Sequence, residues 1–271
     1  MKEKIALIAG EGVLPVAIAS RLTDRGNPPI VYSIRENIGE LSKYALDIVN
    51  ITKPDFGFTI KDMKSRGIES IIMAGMVSKT LAFKPSLFDL TTQKFLASLL
   101  FRDDHSLLGA IVDFLEKQGF KVLSYKEILS DMLAKEGLIA GRKPTKDEKK
   151  DIDYGFSISN KLVPLSFGQT IIVNKMSVVA VEAMEGTDAT MLRAGSLCKS
   201  GVVVKMMRLD QDVRYDIPTV GPSTLKNMSE SGLTCLALHA GSTLVVEPEE
   251  FKKIAEKEKI SVIGVDPCQY L

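Results

Sequence analysis

Along its first half the chain alternates short apolar runs with stretches of helical spacing. Ile5–Ala9 is an unbroken apolar run closed by Gly10-Glu11-Gly12, and Val13–Leu22 then places apolar residues at helical intervals until Gly26. Strands are expected again at Ile30–Ile34, Asp47–Ile51, Ser70–Ala74 and Lys121–Tyr125. Helices are expected between them at Thr59–Ser65, Leu87–Leu100 and Ser106–Gln118. Continuous apolar strands separated by helices imply a parallel sheet covered on both faces. Residues 1–134 therefore read as a Rossmann-like α/β domain.

The rhythm then changes. Residues 135–150 read as a linker, charged from Arg142 to Lys150, running into a helix capped near Thr145, where Glu148 completes a capping-box pattern. Beyond it, Thr170–Val173 and Ser177–Val181 flank Asn174-Lys175, a predicted hairpin turn. Helices over Thr187–Lys199, Ser223–Ser231 and Pro248–Lys259 then alternate with strands at Val202–Met206, Val213–Tyr215, Thr234–Leu238 and Ser261–Val265. Residues 151–271 thus form a second, distinct α/β domain.

Composition narrows the chemistry. With 35 Lys and Arg against 34 Asp and Glu, the net charge is +1, so no overall field favours nucleic acid. Cys198, Cys235 and Cys268 are far apart, which argues against a disulfide framework or zinc site and for isolated buried thiols in a reducing cytosol. Only two histidines, His105 and His239, are present, too few for a His-rich dimetal phosphoesterase site. Lys2 and Lys4 ahead of an apolar stretch resemble a signal peptide, but Glu11 and Pro15 interrupt the run. No stretch approaches the ~20 apolar residues that span a bilayer. A soluble, cytoplasmic protein is expected.

Three segments could carry chemistry. Gly10, Glu11, Gly12 and Leu14 form a turn before a helix N-terminus, whose free N–H groups suit a phosphate; the same glycines also suit a purely structural turn. The third glycine of a dinucleotide fingerprint is missing, since Pro15 stands there, and no P-loop lysine follows. Glu182, Glu185, Gly186, Thr187 and Asp188 join a strand end to a helix start, where carboxylates could hold Mg²⁺ or merely face solvent and the helix dipole. Asp212, Arg214 and Asp216 are two apart, so on a strand they would share one face, as a metal and phosphate site or as a surface ion-pair ladder.

These residues also carry a resemblance. The opening Ile-Ala-Gly-Glu-Gly-Val-Leu-Pro, Met73-Ala74-Gly75, Arg102-Asp103-Asp104 and Gly168-Gln169 resemble the LpxI-type UDP-2,3-diacylglucosamine diphosphatase family. So do Glu185-Gly186-Thr187-Asp188, the run Gln211 to Pro218, and Val262-Ile263-Gly264-Val265, in order along nearly the whole chain. Glu11 departs from the small residue expected at its position. The resemblance implies hydrolysis of the pyrophosphate in UDP-2,3-diacylglucosamine to UMP and the acylated sugar phosphate, in lipid A synthesis. It implies Asp188, Asp212 and Asp216 as Mg²⁺ ligands or water activators, and Lys205 and Arg214 as neutralisers of phosphate charge. Gly10, Glu11, Gly12, Leu14, Gly75, Glu185, Gly186 and Thr187 would contact substrate. A homodimer touching the inner membrane transiently is also expected.

Two other classes stay open. An NAD-dependent oxidoreductase needs an acid after the second strand, and Glu36 beside Arg35 follows Ile34. A non-catalytic nucleotide sensor would tolerate loss of Asp188, Asp212 and Asp216 without losing its ligand.

Overall fold

The computed structural model describes residues 3–35, 37–51, 55–76, 92, 104–165, 168–208 and 211–270. Apart from Thr92, the helix expected over Leu87–Leu100 lies outside these, as do Glu36, Arg102, Asp103 and Asp210. The chain forms two units. One comprises residues 1–129 with Asp212–Tyr215, the other Ser130–Gln211 with Asp216–Leu271.

The first unit is built on a five-stranded parallel sheet. Its strands are β1 (Ile5–Ala9), β2 (Ile30–Ser33), β3 (Asp47–Asn50), β4 (Ser70–Ala74) and β5 (Lys121–Val122), in the order β3-β2-β1-β4-β5. Helices α1 (Leu14–Asp24), α2 (Phe56–Ser65) and α3 (Asp104–Lys117) connect them. The apolar runs are strands because both sheet faces are covered. Ala6, Tyr32, Ile71 and Met73 pack with Met63 of α2 and Val112 and Leu115 of α3. The strand order reverses between β1 and β4, the usual position of a ligand crevice in such sheets. Lys121–Tyr125 is strand only as far as Val122, where its pairing to β4 ends.

The second unit carries a mixed six-stranded sheet. Its strands are β6 (Gly137–Gly141), β7 (Thr170–Asn174), β8 (Ser177–Val181), β9 (Val202–Lys205), β11 (Cys235–His239) and β13 (Ser261–Val265). The order is β6-β13-β11-β9-β7-β8. β9, β11 and β13 are parallel, while β6, β7 and β8 pair antiparallel. A short parallel pair, β10 (Thr219–Val220) with β12 (Leu244–Val245), stands apart. Helix α4 (Lys146–Leu162) covers one face, where Ile152 and Phe156 meet Val173, Val202, Val204 and Ala237. On the other face Ile172, Val203, Leu236 and Val262 meet α5 (Gly186–Leu197), α6 (Pro222–Glu230) and α7 (Pro248–Lys257). Alternate residues of the same strands thus supply two separate cores, as the period of two requires.

Two local readings change. The stretch expected as a linker contains β6, an edge strand on β13, and begins α4. Its charges sit on an ordered element: Thr145 and Glu148 form a reciprocal capping box, and Glu148 also pairs with Arg142 and accepts from Thr234. The β7–β8 turn falls at Lys175-Met176, both left-handed at φ 52° and 54° without a glycine. The buried Asp151 accepts from both of their amides and so holds the turn that the side chains disfavour. Of the three thiols only Cys235 is buried; Cys198 is intermediate and Cys268 exposed.

Candidate functional site

In the first unit, the glycine turn after β1 meets the turn after β4. The Gly10 amide donates to Ala74, while Glu11 and Met76 exchange amide–carbonyl hydrogen bonds of 2.7 and 2.8 Å. A Cβ on Gly75, at φ +91°, would stand 2.7 Å from the Glu11 carbonyl oxygen, and one on Gly10 would stand 2.4 Å from that of Met76. These two glycines are required by the crossing of two backbones. Gly12 is different, at φ +99° with open space around it. Leu14 follows as the first residue of α1, whose N-cap, Val13, makes no side-chain cap. Arg35 donates to the Gly12 carbonyl at 3.1 Å and faces Glu11 at 3.9 Å. The described group against this turn is therefore a guanidinium.

Asp212 and Arg214 belong to the first unit as well. Residues 213–215 form a turn, so the expected strand with one shared face does not exist. Val213 accepts from Ser124, Tyr215 packs against the core beside Ile111, and Arg214 pairs with Glu116 of α3 at 2.7 Å. Asp212 folds back on Arg214 and accepts from its amide, Nε and terminal nitrogen at 2.6–3.0 Å. Burial pushes the Asp212 carboxyl up, but the Arg214 hydrogen bonds outweigh it and hold it below the usual range. The same hydrogen bonds, donated to Asp212, raise Arg214.

The second unit assembles a different cluster at the C-terminal end of β9. Lys205, only 6% exposed, ends that strand opposite Thr170, the first residue of β7. Its Nζ donates to Thr187 Oγ1 at 3.3 Å, at the N-terminus of α5. Thr187 in turn donates to Glu182 Oε1 at 3.0 Å. Glu182, just past β8, is 8% exposed, and its Oε2 is buried with no hydrogen-bond partner among the described residues. Burial pushes the Lys205 ammonium below the ordinary lysine value, against the charges of Glu182, Asp188 and Asp216, which act the other way. Asp188 lies exposed in the first turn of α5, and Asp216 pairs with Arg208 at 3.6 Å. Glu185 spends its carboxylate on the start of α5: it accepts from its own and the Ala183 amides, from Thr190 and from Arg193. Gly186, at φ +81°, turns the chain into the helix.

Two matching sequence models cover the chain nearly end to end: the LpxI N-terminal domain over residues 4–132 and the LpxI C-terminal domain over residues 135–263. The chain belongs to the LpxI family. It is also 31% identical over 277 aligned residues to the UDP-2,3-diacylglucosamine pyrophosphatase LpxI of Caulobacter vibrioides, with 97% of this chain and 98% of the relative covered. Among solved structures, the YdjI aldolase from Escherichia coli K12 aligns at 11% identity over 98% of this chain and 77% of its own. Its TM-score is 0.17.

Several motifs that carry the resemblance have local reasons. Gly168 passes so close to β8 that a Cβ would lie 2.0 Å from the Glu182 carbonyl oxygen. Gln169 takes the Met206 amide on its backbone and the Gln211 side chain on its own amide oxygen, tying the start of β7 to the segment after β9. Gln211 also accepts the Arg208 amide at 2.6 Å. His239, at the end of β11, accepts the Met207 amide on Nδ1 at 3.4 Å. Glu182 was among the carboxylates expected at this strand end, whereas Gln169 and Gln211 were expected only as parts of the motifs that carry the resemblance. The two glutamines carry no charge pattern to mark them. Among the described residues no three His, Cys, Asp or Glu side chains form a group that could hold a metal ion. The carboxylates around Lys205 are nevertheless hard oxygen donors of the kind Mg²⁺ takes, one or two at a time, together with substrate phosphates.

Proposed function

We propose that the chain hydrolyses the pyrophosphate bond of UDP-2,3-diacylglucosamine, releasing UMP and 2,3-diacylglucosamine 1-phosphate for lipid A synthesis. Family membership and the activity named for the Caulobacter relative support the reaction. The observation that carries the site is Lys205, a buried ammonium hydrogen-bonded to the first turn of α5.

The chemistry follows from the charges. A pyrophosphate under attack by water gathers negative charge on its oxygens and on the leaving phosphate. A fixed cation and free helical N–H groups in a water-poor site stabilise that charge without reorganising. Lys205 supplies the cation, and Gly186 and Thr187 the helix start. Asp188 and Asp216, whose charges act on Lys205, would orient the attacking water or take its proton. Should Mg²⁺ take part, these two carboxylates would hold it, and the ion would neutralise phosphate oxygens. The acyl chains would bring the protein to a membrane surface; among the described residues no helix is long and apolar enough to cross one.

Purified protein incubated with UDP-2,3-diacylglucosamine, with Mg²⁺ or with EDTA, tests the reading. UMP and the acylated sugar phosphate should appear in equal amounts, and EDTA should suppress both. Folded protein that releases no UMP would contradict the reaction, and full turnover in EDTA would contradict the metal.

A further inference from the structure

We propose that Glu182 is a positioning residue, holding Lys205 through the Thr187 hydroxyl so that its ammonium faces the scissile pyrophosphate; this role rests on the hydrolase reading above. The backbone at Glu182 is fixed from both sides. Its amide donates to the Thr170 carbonyl at 2.9 Å, and Gly168 leaves no room beside its own carbonyl. The carboxylate is therefore delivered to one place, under the start of α5.

The direction of the hydrogen bonds matters. Thr187 gives its single hydroxyl proton to Glu182 Oε1, so toward Lys205 the same oxygen can only accept. The Thr170 hydroxyl, 3.4 Å from that of Thr187, can complete the arrangement as a donor. The hydroxyl thus stands as a spacer between carboxylate and ammonium. A direct ion pair would tie up Nζ and satisfy Glu182. The spaced arrangement leaves Glu182 Oε2 buried without a partner among the described residues, and leaves Nζ with N–H groups for an incoming anion. An orphaned buried carboxylate oxygen is costly to maintain, and natural interiors keep few of them. Here the compensation is long-range: of the carboxylates acting on Lys205, Glu182 acts most strongly, ahead of Asp188 and Asp216. Arg208, paired with Asp216, is the other described cation in this charge set.

Initial rates of UMP release by full-length Glu182→Gln, Thr187→Val and Thr187→Ser, with melting temperatures alongside, test the role. Glu182→Gln and Thr187→Val should each lower kcat on the order of 100-fold, with KM little changed, because a displaced charge is missed most in the transition state. Thr187→Ser, which keeps the hydroxyl, should restore most of that loss. Glu182→Gln with wild-type kcat, or Thr187→Ser as slow as Thr187→Val, would overturn the proposal while leaving the hydrolase reading intact. If Glu182→Gln does not fold, the valine and serine variants decide it. Wild-type protein without UMP release would remove the reaction and this role together.

Discussion

Glu148 and Glu182 are both buried carboxylates of the second unit, and they are treated in opposite ways. Glu148 accepts a bidentate pair from Arg142 at 2.6 and 2.7 Å, the Thr145 amide at 2.7 Å and the Thr234 hydroxyl at 2.7 Å. Burial alone would push it up, but these hydrogen bonds and the Arg142 charge bring it down to about 2. Among the described residues, Glu182 has one hydroxyl on one oxygen and nothing on the other. A saturated carboxylate stitches β6, α4 and β11 together. An unsaturated one beside a buried lysine is maintained against its own cost, which is expected where a ligand completes the site.

The largest effect should come from the lysine. Lys205→Met should cut UMP release about 100- to 1000-fold, the usual loss on removing one group that stabilises developing charge. A rate within a few-fold of wild type would dissolve the contrast between the two carboxylates. Next, Glu148→Ala should leave the Thr145 amide, the Thr234 hydroxyl and the half-buried Arg142 without their shared acceptor and cost roughly 2 kcal/mol of stability in a denaturant titration. Its kcat should stay near wild type at temperatures where it is folded. If it instead lost activity without losing stability, the division of roles would be reversed.

Smaller effects sharpen the picture. Gly75→Ala imposes a Cβ on a left-handed residue in contact with the Glu11 backbone and should cost about 2 kcal/mol, chiefly in stability. The pH dependence of stability tests the saturated carboxylate alone. Glu148 titrates lower in the folded than in the unfolded chain, so the folded state binds its proton less readily. Its contribution is therefore fully present above the ordinary carboxylate range and is lost as pH falls through about 2. Between about pH 4.3 and that value, unfolding free energy should fall less steeply in Glu148→Gln than in wild type.

Much of this was legible in the sequence. The strands Ile5–Ala9, Ser70–Ala74 and Ser261–Val265 fall where apolar runs are bounded by turn residues, and Thr145 with Glu148 announces its own cap. The second sheet was harder to read. β6 is an exposed edge strand, Gly-Leu-Ile-Ala-Gly, too short and too glycine-rich to stand out from a linker. The helix start beside Lys205 was legible as local structure. Asp188, Gly186 and Thr187 at a helix start follow from local chemistry. The regular spacing of Asp212, Arg214 and Asp216 misled, because alternation implies a shared face only within a strand, and Asp212 instead closes a turn onto Arg214. Gln211 meets Gln169, 42 residues away in the chain, which no local pattern reports.

The central claim is that phosphate is engaged by the Glu182–Thr187–Lys205 cluster of the second unit. Amide hydrogen exchange of the full-length protein, with and without saturating UDP and Mg²⁺, tests it most directly. The account predicts added protection across residues 182–190 and 205–208, whatever else the uridine protects. Protection confined to residues 10–16 and 75–76, with none at the start of α5, would contradict it and return the phosphate to the glycine turn of the first unit.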